Sequence, residues 1–131
     1  MENNNKETEL SEFFLTGLEP DLHHVVCKDV VLTKNGYEEL FNAIMLLSGN
    51  KKVRMLCDLR SVKMITREGG QYARTAFADC LSAAGMVAQT PVARMVITFF
   101  LVVMKPEFPV KVFSDFESAE AWLKQLKNEG E

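Results

Sequence analysis

The chain has 131 residues, 47% of them apolar and 25% charged, with a formal net charge of −3. That length fits one domain, at roughly 100 to 200 residues each, with enough apolar material for a self-sufficient core, and the acidic balance argues against nucleic acid as a partner, since phosphate neutralisation asks for a clustered basic surface. No apolar h-region follows the Asn3-Asn4-Asn5 start, and the longest apolar run, Met95 to Met104 with Thr98 inside it, is half the ~20 residues of a membrane span; the expectation is a cytoplasmic protein with no membrane span.

Residues 1–8 read as a disordered, solvated tail, and 9–128 as a single domain. Glu9 to Leu18 mixes polar and apolar residues around Phe13-Phe14-Leu15, which suits a half-buried strand. Glu19-Pro20-Asp21 supplies a turn, and Leu22 to Lys28 forms the second arm of a hairpin. Thr33 caps a first helix whose Tyr37, Leu40, Phe41, Ile44 and Leu47 form an apolar stripe, stopped by Ser48-Gly49-Asn50.

Val53 to Leu59 is mostly apolar, with Arg54 and Asp58 as its charged residues, as expected of a central strand covered on both faces. After a short polar loop, Thr66 opens a second helix with Ala73, Ala76, Phe77, Cys80, Leu81 and Ala84 at helical spacing. Gly85 ends it, and Met86 to Gln89 is read as a short fourth strand. Thr90-Pro91 starts a third helix that runs to about Met104 and is apolar nearly all round. Lys105-Pro106 breaks it. Val110 to Phe113 is a fifth strand, and Ser114 with Glu117 fits a capping box opening a last helix that turns Phe116, Ala119, Trp122 or Leu123, and Leu126 inward.

The expected architecture is therefore α/β: an N-terminal β-hairpin, then repeated strand–helix units, giving a mixed sheet of about five strands with four helices and right-handed crossovers. This order, with Asp58-Leu59-Arg60-Ser61-Val62 followed by Ile65-Thr66-Arg67-Glu68-Gly69, resembles the STAS domain of anti-sigma-factor antagonists and sulfate-transporter C-terminal regions. The closing stretch from Val110 to Leu123 is similar to the SpoIIAA-like branch and its uncharacterised bacterial members, and the likeness covers roughly Leu10 to Lys127. The resemblance implies a non-enzymatic regulatory or protein-interaction module. Where antagonists carry the phosphorylated serine, this chain has Arg67, and Thr66 stands where they carry the preceding aspartate. Arginine accepts no phosphoryl group, so the usual phospho-serine switch does not transfer, and the Thr66 hydroxyl is read first as a helix cap.

Two candidate sites follow. Arg60, Ser61, Lys63, Thr66 and Arg67, with the amides of Gly69 and Gly70, cluster on the loop and first turn after the central strand, where a helix N-terminus favours an anion or an acidic partner. Met95, Phe99, Phe100, Val103 and Met104 on the third helix, with Phe108 after it, make a pocket for a lipid-like small molecule, a homodimer face, or simply core.

His23 and His24 alternate along a strand, so they point to opposite faces and cannot share a metal; one is expected at the surface. Cys27, Cys57 and Cys80, spaced by 30 and 23, match neither a disulfide framework nor a metal knuckle and read as reduced core residues. No catalytic motif stands out. The expectation is thus a protein partner, with a homodimer or an apolar small-molecule ligand as the alternatives, and no enzyme activity, cofactor or metal.

Overall fold

The computed structural model describes residues 7–129, leaving out the side chains of Met104 and of 127–129. In chain order the elements are β1 (Glu7–Glu9), β2 (Phe13–Glu19), β3 (Leu22–Cys27), α1 (Lys34–Ser48), β4 (Val53–Asp58), α2 (Arg67–Cys80), β5 (Leu81–Val87), α3 (Pro91–Met104), β6 (Val110–Phe113) and α4 (Phe116–Glu129). They form a six-stranded sheet whose spatial order is the order of the chain, β1-β2-β3-β4-β5-β6. β1, β2 and β3 pair antiparallel, and β3 through β6 pair parallel.

The direction of travel explains the layers. From β3 onward every crossover moves to the next strand on the same side, and right-handed crossovers taken in one direction put their helices on one face. α1, α2 and α3 accordingly pack side by side, while α4, which follows the last strand, lies across β4, β5 and β6 on the opposite face. Two apolar clusters result. The larger, under α1 to α3, holds Phe13, Tyr37, Phe41, Phe77 and Phe100; the smaller, under α4, holds Leu22, Leu56, Ala83, Val87, Ala119 and Leu123.

Local chemistry fixes the helix ends. Thr33 caps α1, its Oγ1 accepting from the Gly36 amide at 3.2 Å, and Gly49 closes it at φ 67°, a left-handed conformation that glycine adopts without penalty. Of the expected α1 stripe, Tyr37, Leu40, Phe41 and Ile44 are buried, but Leu47 is exposed because the last turn runs past the edge of the core. Thr90 caps α3 and Pro91 occupies its first turn, as the sequence implies. In α4 the cap is Asp115, not Ser114: the Ser118 amide donates to Asp115 Oδ2 at 2.8 Å, and Ser114 Oγ instead accepts from Arg94 Nη2 at 2.7 Å.

Three further expectations change. Glu7 and Thr8, read as the end of a tail, pair with Thr16 and Leu15 in β1, and this short exposed strand is the sixth; residues 1–6 lie outside the described residues. The second helix stops at Cys80, and Leu81 to Val87 is strand. Ala73, Ala76, Phe77 and Cys80 of the expected stripe are buried on α2, but Leu81 and Ala84 belong to the strand, and Gly85, expected to end the helix, sits in it where a Cβ would lie 3.3 Å from Leu123 Cδ1 and 3.5 Å from Ala119 Cβ. Finally, neither histidine is at the surface. His23 is buried, and His24 is half-buried with its ring 4.9 Å from Phe116.

Candidate functional site

The β4–α2 loop is anchored at both ends. At its start the buried Asp58 carboxylate draws Arg60 back onto the strand end, accepting from Arg60 Nε at 2.8 Å and Arg60 Nη2 at 2.6 Å. The charge-assisted bond to Asp58 raises the Arg60 pKa further, so the cation is permanent but already paired. At its end the loop bridges to the segment before α1: the Leu32 amide donates to the Met64 carbonyl at 2.9 Å and the Thr66 amide to the Leu32 carbonyl at 2.9 Å. This sets the first turns of α1 and α2 beside each other.

At the start of α2 the Thr66 hydroxyl accepts from the Gly69 amide at 3.0 Å, and the Gly70 amide donates to the Thr66 carbonyl at 2.9 Å. Both glycines are buried. The two amides expected to hold an anion are therefore engaged within the helix, and Thr66 is its cap. Lys63 forms an exposed ion pair with Asp29 at 3.0 Å, a contact weak in water. Arg67 is exposed and has no ion pair among the described residues. Ser61 is exposed at the far end of the loop.

The two sites read separately from the sequence meet in space. Lys63, Thr66, Arg67 and Gly70 share one open groove of about 780 Å³ with Met95, Phe99, Phe100 and Val103. The groove runs between the start of α2 and the flank of α3, within the size range of small-molecule sites. Phe100 and Gly70 form part of its floor: a Cβ on Gly70 would touch the Phe100 ring at 3.6 Å. Phe100 is itself held from behind, with its ring parallel to Tyr37 at 6.4 Å and edge-on to Phe77 at 6.1 Å. The floor is thus packed from behind and apolar while the rim carries Lys63 and Arg67.

Of the expected residues, Arg60, Ser61 and Gly69 stand apart from the groove. Phe108 turns away into the core, 6.4 Å from Phe77. The Met104 side chain lies outside the described residues. Met64, Ile65, Gln71 and Val96 line the groove without having been singled out. Met64, an exposed apolar residue in a polar loop, was the available signal.

Elsewhere the chemistry is quiet. Burial pushes the Cys27 thiol up to about 11 and the Cys57 and Cys80 thiols above their usual range. Burial likewise lowers both histidines, offset for His23 by the Pro20 carbonyl and Asp21. No group of three or more His, Cys, Asp or Glu able to hold a metal occurs among the described residues. Nor is any described helix long and apolar enough to cross a membrane.

A family model described as a domain of unknown function, DUF7793, matches residues 18–127. No curated protein matches the chain. Among solved structures, an uncharacterised protein of the DUF3478 family with a SpoIIAA-like fold, from Shewanella loihica, aligns at TM-score 0.59 and 14% identity, over 90% of each chain. An anti-sigma factor antagonist from Mycobacterium paratuberculosis aligns at TM-score 0.60 and 13% identity, over 95% of this chain and 99% of that one. At such identities the likeness is one of fold, and the fold is the SpoIIAA-like, STAS-type arrangement that the order of elements implied.

Proposed function

The chain belongs to the DUF7793 family, and we propose that it acts in the cytoplasm as a non-enzymatic regulatory module of STAS type, binding a protein partner through the loop and helix start from Arg60 to Gly70. The observation that carries this reading is the meeting of Lys63 and Arg67 on the rim of an apolar groove. A cationic rim steers and orients an acidic segment, and the apolar wall beside it supplies the buried contact that gives affinity. The likeness in fold to an anti-sigma factor antagonist supports a regulatory role. With Arg67 at the position of the usual phospho-serine, regulation would come through occupancy of the groove and not through that modification.

A second reading rests on the groove itself. Its volume, and a floor that includes Phe100 and Val96, suit a small apolar ligand. One experiment separates the two: a photo-crosslinking residue placed at Gln71 on the rim, in cells that express the protein, with and without Lys63→Glu/Arg67→Glu. A discrete crosslinked protein that disappears on charge reversal supports the partner. A small-molecule adduct in native mass spectra, indifferent to charge reversal, supports the ligand. Absence of both overturns both readings.

A further inference from the structure

The outer flank of α3 carries an inference that does not rest on the partner-binding reading; because Met95, Phe99 and Val103 also line the groove, pairing and partner binding there exclude one another. Val92, Met95, Phe99 and Val102 are each more than half exposed, Phe99 at 71%. At 100° per residue these four and Val103 fall within an arc of about 100°. Their steps of three, four and three residues are the a/d spacing of a helix–helix seam. We propose that this flank is where two copies of the chain pair, α3 against α3, antiparallel about a two-fold axis that crosses the exposed flank at the level of position 97, on the side of the helix opposite the buried Ile97.

The numbering itself is self-complementary. Positions 92 and 102, and positions 95 and 99, are each symmetric about 97, so an antiparallel two-fold places Val92 against Val102 of the second copy and Met95 against Phe99 of the second copy. Each contact then occurs twice, as an isologous interface requires. The shape agrees. Met95 and Phe99 border hollows on both sides, the groove described above and a shallower one lined by Pro91, Arg94, Thr98 and Val102. A ridge bounded by two hollows can interdigitate with a copy of itself.

Charge selects the occupant. From Pro91 to Met104 the one ionisable residue is Arg94, and its guanidinium donates to Ser114. The exposed side chains of the seam, Val92, Met95, Phe99, Val102 and Val103, carry no charge, with Arg94 beside them and Lys63 and Arg67 at the groove margin, and antiparallel packing sets opposite helix-dipole ends together. A lipid surface would ask for a polar side rich in Lys and Arg, where α3 offers Arg94 and Thr98. Area agrees too. Val92, Met95, Phe99, Val102, Val103 and the neighbouring exposed Met64, at roughly 100 Å² apiece, give on the order of 600 Å² per copy, or about 1,200 Å² in total, the lower edge of specific interfaces.

Sedimentation velocity at about 100 µM tests the pairing. The expected species has twice the 14.8 kDa mass of the chain. Phe99→Glu should be monomeric, with a thermal midpoint that does not depend on protein concentration whereas the parent's rises with it, and Leu46→Glu, on an 83% exposed residue of α1, should remain dimeric. For the register, differently tagged Met95→Cys and Phe99→Cys chains are mixed and oxidised with copper phenanthroline; the native thiols are buried and do not compete. The mixed 95–99 crosslink should dominate over either same-position crosslink. A monomeric parent, a dimer that survives Phe99→Glu, or dominant same-position crosslinks would each overturn the proposal.

Discussion

Gly69, in the first turn of α2, lies against the backbone of Thr33, the cap of α1: a Cβ there would stand 3.1 Å from the Thr33 carbonyl carbon and 3.2 Å from the Lys34 nitrogen. Backbone atoms at a helix start cannot yield cheaply. Gly69→Ala should therefore lose about 1–2 kcal/mol despite the better helix propensity of alanine. It should also shift the loop bearing Lys63 and Arg67. Gly70 meets the Phe100 ring at an ordinary 3.6 Å, so Gly70→Ala should gain about 0.5–1 kcal/mol. Urea unfolding of the pair checks the opposite signs.

Arg54, on the strand with six buried residues, ties α4 to the turn of the β2–β3 hairpin. Its Nη1 donates to the Leu123 carbonyl in α4 at 2.8 Å, and its Nη2 to Glu19 at 3.0 Å and Asp21 at 2.7 Å in the hairpin. Breaking a fully buried pair costs about 3–5 kcal/mol. Because Asp21 remains 44% exposed, Arg54→Ala should lose about 2–3 kcal/mol. Hydrogen exchange should show the loss concentrated in α4.

Stability should fall on mild acidification. His23 and His24 are held below their ordinary 6.5 by burial, so the unfolded chain takes up protons that the folded one resists. The stabilisation is complete above pH 6.5 and is lost as pH drops below it toward the depressed folded values. Asp115, kept below its usual 3.8 by the Ser118 amide, stabilises at neutral pH as well and loses that contribution only as pH falls below about 3.8. Urea midpoints at pH 7.5 and 5.5, each about one unit either side of the histidine value, should differ less in His23→Gln/His24→Gln than in the parent.

The thiols should be silent in the folded protein. Cys27, Cys57 and Cys80 are buried and their pKa values raised, so a disulfide reagent at pH near 8 should find almost none reactive. All three should react after denaturation, at a rate set by unfolding.

Much of the fold was legible because local chemistry and burial agreed. Thr33 and Gly49 bracket α1, Thr90-Pro91 opens α3, and the mostly apolar Val53 to Leu59 stretch became the buried central strand, Val53–Asp58. The region from Leu81 to Gly85 misled because Ala83, Ala84 and Gly85 carry no strand preference of their own. They form a strand because the segment is paired on both sides and covered on both faces, Ala83 and Gly85 beneath α4 and Ala84 beneath the helices of the other face. β1 was invisible for the opposite reason: Glu7-Thr8-Glu9 buries nothing and owes its conformation to pairing. The groove was half legible. Each wall could be named, but that α2 starts beside the flank of α3 is a packing fact with no periodicity to announce it.

The sheet's order has a further consequence for how the molecule is made. Since each strand lies next to its predecessor in the chain, a growing polypeptide can add strand after strand to a finished edge, with no slot held open for a later arrival. One face is the exception. Leu22, Leu56, Ala83 and Val87 wait for α4, the last of the described elements to emerge. Throughout synthesis that bare sheet face is the surface most in need of a chaperone.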